Sequence, residues 1–157
     1  MTRLYGRAKK GERVEDYVPD VRFKRQSILS SMRLNGEMVP LVFRGTLNGD
    51  IFKEYVIKFL VPTLAEGDIV VMDNLSSHKV AGVKEAISAC GASVLYLPLY
   101  SPDFNPIELK WSKVKTFLRK ARSKTLDLLN LAIAESLDLV SVADISGWFA
   151  HCGYSKC

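Results

Sequence analysis

The stretch Ile69-Val70-Val71-Met72-Asp73-Asn74 decides the architecture, because three β-branched residues and a methionine end abruptly on a carboxylate and an amide. A short continuous apolar run bounded by turn residues predicts a strand buried on both faces, as in parallel sheets. Downstream, Lys79 to Cys90 reads as a helix closed by Gly91, and Ser93 to Leu97 as a second strand. Strand, helix, strand in that order is a βαβ unit whose strands lie parallel. Upstream, Ser27 to Leu34 and Glu37 to Arg44 flank Asn35-Gly36, a dipeptide suited to the positive φ angles of a tight turn, which predicts an antiparallel hairpin. Between hairpin and βαβ unit, Phe52, Tyr55, Val56, Phe59 and Leu60 recur at helical spacing, and Pro62 should end that helix. After the Pro98 to Pro106 loop the chain turns helical, from Pro106 to about Ala121, Thr125 to about Leu139, and Val142 to His151. The expected fold class is α/β, a mixed sheet with flanking helices, preceded by an irregular segment over residues 1–20.

Composition narrows the function classes. The chain has 157 residues, 48% hydrophobic and 25% charged, the make-up of one globular domain. No apolar run approaches the ~20 residues of a membrane span, and Met1 to Lys10 carries no apolar core of a secretory signal, so a soluble intracellular protein is expected. Three cysteines without a C-x-x-C pair argue against a disulfide framework or a thiolate zinc site. The net charge of +5 suits a polyanionic partner, although so modest an excess matters less than its distribution.

Two carboxylates carry the candidate chemistry. Asp73 falls where the strand reaches the carboxyl edge of the sheet, the edge at which ligands gather in open α/β sheets. Taken alone, Asp73-Asn74 also reads as the start of a turn, with Ser76 or Ser77 capping the next helix. Glu108 lies three residues after Asn105, with Pro106 at the first helical position, which by itself reads as a capping box. Together, acidic groups from a strand end and a helix start, with 34 residues between them, suggest a hard-cation site. Phosphodiester cleavage needs an activated oxygen nucleophile and a neutralised leaving oxygen, which two Mg²⁺ ions about 4 Å apart supply, and such ions prefer oxygen ligands.

The blocks Val71-Met72-Asp73-Asn74-Leu75-Ser76-Ser77-His78-Lys79 and Leu97-Pro98-Leu99-Tyr100-Ser101-Pro102-Asp103-Phe104-Asn105-Pro106-Ile107-Glu108 resemble two motifs of the mariner superfamily of DDE transposases. Their order agrees with that family, and their spacing with its bacterial insertion-sequence branch. The resemblance implies a ribonuclease-H-like fold, with residues 21–157 as a partial catalytic domain, and metal-dependent DNA cleavage and strand transfer at the terminal inverted repeats of a mobile element. It makes Asp73 and Glu108 the second and third catalytic residues, each a metal ligand. The implied cofactor is Mg²⁺, with Mn²⁺ as a substitute. The implied partners are terminal-repeat and target DNA and a second transposase subunit, in a bacterial, nucleoid-associated protein of the cytoplasm. The family's first aspartate and central opening strand have no counterpart here; Asp16, Asp20 and Asp50 follow no strand-like run. The expectation is an N-terminally truncated domain, inactive alone and with unpaired strand edges. The alternative is a non-catalytic remnant that binds DNA or a transposase. A generic nuclease of the same fold fits the Ser101 to Glu108 block less well.

Between Leu109 and Thr125 stand seven basic residues and no acidic one, beside an apolar stripe of Trp111, Val114, Leu118 and Ala121. That pattern predicts a helix that buries the stripe and shows cations to solvent, or to a phosphate backbone. Lys110, Lys113, Lys115, Arg119 and Lys120 are the candidate DNA contacts. His78 matches the histidine of the first block, where it would contact the scissile phosphate or orient the site; a solvent-facing histidine at a helix start is the plain alternative. His151 lacks a partner at metal-ligand spacing and reads as structural, as do Trp148 and Phe149, while Leu126 to Val140 reads as core with a subunit contact as a further use.

Overall fold

In the computed structural model the described residues are 8–13 and 25–154. Most of residues 1–20, expected to be irregular, with Asp16 and Asp20 among them, therefore lies outside the described residues. The chain divides into two compact units, Lys24–Leu109 with Ser141–Cys157, and Met1–Phe23 with Lys110–Val140.

The first unit opens with the hairpin of β1 (Gln26–Met32) and β2 (Met38–Arg44), paired antiparallel with Met32 opposite Met38. Its turn differs from the two-residue form that Asn35-Gly36 suggests. Arg33 and Glu37 still pair through the backbone, Gly36 N–H donates to the Arg33 carbonyl, and only Gly36 takes a positive φ, 97°. The loop is thus the three-residue kind, an ordinary turn followed by one left-handed residue. A β-carbon on Gly36 would also come within 2.6 Å of Val142.

Next comes α1 (Gly49–Tyr55), capped by Asn48, whose side-chain oxygen accepts from Ile51 N–H. It continues as one π-helical stretch, Val56–Leu60, and a short 3-10 turn, Val61–Thr63, that contains Pro62. The wider π turn explains a departure from simple helical periodicity. Phe52, Val56 and Leu60 are buried, whereas Phe59, two α-helical turns from Phe52 in sequence, is exposed.

β3 (Ile69–Met72) and β4 (Ser93–Tyr96) pair in parallel, joined by a 3-10 turn at Ser76–Lys79 and by α2 (Val83–Ser88). The predicted crossover helix is shorter than Lys79 to Cys90 because Gly82, at φ 95°, separates it from the 3-10 turn. Nor is β3 buried on both faces. Val70, Met72, Val94 and Tyr96 pack into the core, while Ile69 is 64% exposed and Leu95 also faces solvent. Among the described residues the two strand pairs are separate two-stranded sheets, not one mixed sheet. Packing, not strand hydrogen bonding, joins them: Phe52, Tyr55, Val56, Leu60, Val83 and Ile87 form a core onto which Leu29, Val39 and Leu41 pack from the hairpin and Val70 and Val94 from the parallel pair. Arg33 adds a polar bracket from the hairpin tip, donating to the Thr63 carbonyl at 2.8 Å and to Asp68 Oδ1 at 2.7 Å. The Arg33 guanidinium, helped by the Ala65 N–H, holds the Asp68 carboxyl below its ordinary range.

The helix α3 (Pro106–Ala121) begins in this unit and passes into the second at Lys110. There α4 (Leu126–Asp138), capped by Thr125, buries Ala132, Ile133, Ser136 and Leu137 and leaves Leu128 and Leu131 exposed. α5 (Val142–His151) returns to the first unit behind a capping box of Ser141 and Asp144.

Candidate active site

Asp73 is the first residue after β3. The strand ladder runs to its edge, since Leu97 N–H donates to the Met72 carbonyl at 2.9 Å, so the carboxyl ends of β3 and β4 are level. The Asp73 side chain turns back on its own loop: Oδ1 accepts from Leu75 N–H at 3.3 Å and lies 2.6 Å from Nδ1 of His78. Asp73-Asn74 therefore does start a turn, which leaves the carboxylate 38% exposed at the strand end, but neither Ser76 nor Ser77 caps the next helix: both lie inside the 3-10 turn, and Gly82 precedes α2.

His78 is not a solvent-facing histidine. Its side chain is only 12% exposed, and its ring lies against Phe52 with centroids 4.2 Å apart. Its backbone is fixed on both sides, by His78 N–H donating to the Leu75 carbonyl and Tyr96 Oη donating to the His78 carbonyl at 3.2 Å. The ring N–H is not well aligned with Oδ1, so the contact is a close polar pairing rather than an ideal hydrogen bond. Beside the pair, Asn74 Oδ1 is a buried acceptor without a partner among the described residues. Such groups are rare, since an unsatisfied buried acceptor costs on the order of 1–3 kcal/mol.

Glu108 is the third residue of α3, and its side chain is exposed. The approach to it is braced from the far end of the chain. Tyr154 Oη donates to the Phe104 carbonyl at 2.9 Å, and Phe149 meets the Tyr154 ring edge-on. Asn105 and Pro106 are buried, so the helix start is anchored while Glu108 projects outward.

The candidate basic contacts separate into two kinds. Lys115, Arg119 and Lys120 are exposed, as the helical pattern predicts. Lys113 gives its Nζ to the Leu139 carbonyl at 2.7 Å. Lys110 departs from the expectation of solvent-facing cations: it is fully buried, its ammonium lies 5.0 Å from the centre of the Trp111 ring, and burial pulls its pKa down to about 8.

Sequence reading alone does not pick out Phe52, Tyr96 or Asn74. Phe52 and Tyr96 look like ordinary core positions, and only their contacts with His78 show a second use. Asn74 was legible as half of a turn, not as a buried acceptor.

A sequence model of the DDE superfamily endonuclease family matches residues 1–130, and the chain belongs to that family. Membership makes DNA the implied substrate and transposase-like nuclease activity the implied chemistry, and the family typically uses divalent metals. No curated protein matches the chain. No helix among the described residues is long and apolar enough to cross a membrane.

The donor chemistry near Asp73 fits a hard cation. Asp73 Oδ2 and Asn74 Oδ1 are oxygen atoms without hydrogen-bond partners among the described residues, and Glu108, at the start of α3, is a separate exposed carboxylate. Among the described residues, no three His, Cys, Asp or Glu side chains form a metal-binding group.

Proposed function

We propose that this chain is the catalytic domain of a mariner-superfamily transposase of the bacterial insertion-sequence branch, with a ribonuclease-H-like fold, cutting and rejoining DNA at terminal inverted repeats. The observation that carries this reading is the state of Asp73: a carboxylate at the carboxyl end of a parallel strand, with one oxygen tied down by the protein and the other left for a ligand. Asp73 and Glu108 are the catalytic residues and would hold Mg²⁺, or Mn²⁺ in its place. Bound divalent cations supply activation of the attacking oxygen and neutralisation of the leaving oxygen. Asp73 would hold the cation through Oδ2, the oxygen without a hydrogen-bond partner among the described residues. Glu108 contributes from an anchored helix start, so it binds without costly ordering of its backbone.

Lys115, Arg119 and Lys120 would contact the phosphate backbone as exposed cations of one sign. Lys113 joins them only if DNA displaces the Leu139 carbonyl. Burial of Lys110 and the pairing of His78 with Asp73 support supporting roles for those two residues instead. The exposed Leu128 and Leu131 of α4 are among the apolar positions that a homodimer contact would use.

A second reading, a non-catalytic DNA- or transposase-binding remnant, draws on the two-carboxylate donor set, which holds metal less firmly than three would. One experiment separates the readings: supercoiled plasmid is incubated with the chain, with Asp73→Asn and with Glu108→Gln, in Mg²⁺ or Mn²⁺, and nicking and retarded mobility are followed together. Metal-dependent nicking by the wild type, lost in both variants, supports the catalytic reading. DNA retardation without nicking selects the binding reading, and nicking that survives both substitutions overturns the assignment of the site.

A further inference from the structure

We propose that His78 is a positioning residue that limits Asp73 to one metal-binding oxygen and so biases the site toward a small octahedral cation and against calcium. The inference rests on the reading of Asp73 as a metal ligand and goes beyond it. Asp73 Oδ1 already receives the Leu75 N–H at 3.3 Å and has the ring nitrogen Nδ1 of His78 packed 2.6 Å away, so no room is left at that oxygen for a cation. Only Oδ2 remains for a cation.

The ring cannot easily withdraw. It is packed against Phe52, its side chain is 12% exposed, and its backbone is held by Leu75 and by Tyr96 Oη. Bidentate coordination by Asp73 would need the histidine to leave this setting. Mg²⁺ and Mn²⁺ accept one oxygen per carboxylate in an octahedral shell, whereas Ca²⁺ takes six to eight oxygens at longer range and commonly uses both oxygens of a carboxylate. A carboxylate with one oxygen withheld therefore penalises Ca²⁺ selectively. His78 performs for Asp73 what an outer-shell partner does for a metal ligand: it fixes orientation and sets how many atoms are offered.

The test measures binding rather than catalysis. Free Mn²⁺ is followed by electron paramagnetic resonance in the presence of the full chain, and Mg²⁺ and Ca²⁺ are titrated as competitors. The wild type should release Mn²⁺ to Mg²⁺ more readily than to Ca²⁺. His78→Phe keeps a ring against Phe52 but removes the nitrogen that faces Oδ1, and should move the ratio toward Ca²⁺ by about tenfold. His78→Asn, whose amide nitrogen can stand near the position of Nδ1, should restore the wild-type ratio, which a purely structural role would not predict. If His78→Phe fails to fold, Phe52→Leu loosens the same ring and should shift the ratio in the same direction.

Asp73→Asn separates the two levels of inference. Loss of Mn²⁺ binding in Asp73→Asn, with an unchanged ratio in His78→Phe or in its substitute Phe52→Leu, overturns the role of His78 alone. Mn²⁺ binding that survives Asp73→Asn, or that the wild type lacks at millimolar metal, overturns the metal site and this inference with it.

Discussion

The end of β3 and the start of α3 each offer a carboxylate, but the protein prepares them differently. Asp73 is held by Leu75 and His78, and His78 in turn is held by Phe52 from the core and by Tyr96 from β4. Glu108 has its backbone anchored by buried neighbours and its side chain left exposed. One carboxylate is oriented before any ligand arrives, and the other is oriented when the ligand binds. The difference teaches where a substitution will be felt: around Asp73, chemistry and folding are coupled through one aromatic contact, and at Glu108 they are separable.

The largest expected effect is on activity. Under the catalytic reading, Asp73→Asn and Glu108→Gln should each lower metal-dependent nicking by roughly a thousandfold, about 4 kcal/mol of transition-state stabilisation. The comparison breaks if either variant keeps wild-type rates while the other does not. Stability then tells the two apart. Phe52→Ala should cost about 3–4 kcal/mol in denaturant unfolding, because it opens a cavity in the core and unseats His78 together, while Glu108→Gln should stay within about 0.5 kcal/mol of the wild type. An equal cost for the two would mean that the Asp73 side is not supported by the core.

Lys110 sharpens the α3 side by pH. Its folded pKa, about 8, lies below the ordinary 10.5, so between those values the unfolded chain holds a proton that the folded chain has released. Stability from this residue therefore rises as pH goes from about 8 to 10.5, by roughly 3 kcal/mol, and the cost of the buried charge persists below pH 8. Lys110→Met should remove that rise relative to the wild type, measured by denaturant titrations at both ends of the window; parallel curves for the two proteins would show that the ammonium is not desolvated. The smallest effect belongs to Ile69→Thr, on the open face of β3, which should change stability by less than about 1 kcal/mol.

Much of this was legible in the sequence because local signals were strong. Pro106 at a helix start, the helical stretches from Thr125 and from Val142, and the apolar run ending at Asp73 marked α3, α4, α5 and β3 near their observed bounds. The misses came from information that periodicity does not carry. Phe59 left the apolar stripe because the helix widens into a π turn. The run Ile69 to Met72 looked covered on both sides, yet only alternate residues pack inward, since an apolar run is silent about how many layers will cover it. The basic run after Leu109 showed its charge but not that Lys110 turns inward. At the site, the two carboxylates were legible from motif and spacing. The pairing of His78 with Asp73 was not, because it depends on a 3-10 turn and on a ring supplied by α1.

The bracket made by Arg33 gives the hairpin a direction of fraying. Its tip is fastened to Thr63 and Asp68, whereas the opposite end, where Gln26 pairs with Arg44, is closed by the Arg25–Gly45 backbone bond and exposed side-chain contacts such as Ser27 with the Gly45 carbonyl. Opening should therefore begin at that end and travel toward the turn, a sequence that amide hydrogen exchange resolves residue by residue. Amides near Arg44 and Gly45 should exchange before those of Arg33 and Gly36, and Arg33→Met should erase the gradient, turning a strand pair that unzips from one end into one that opens from both.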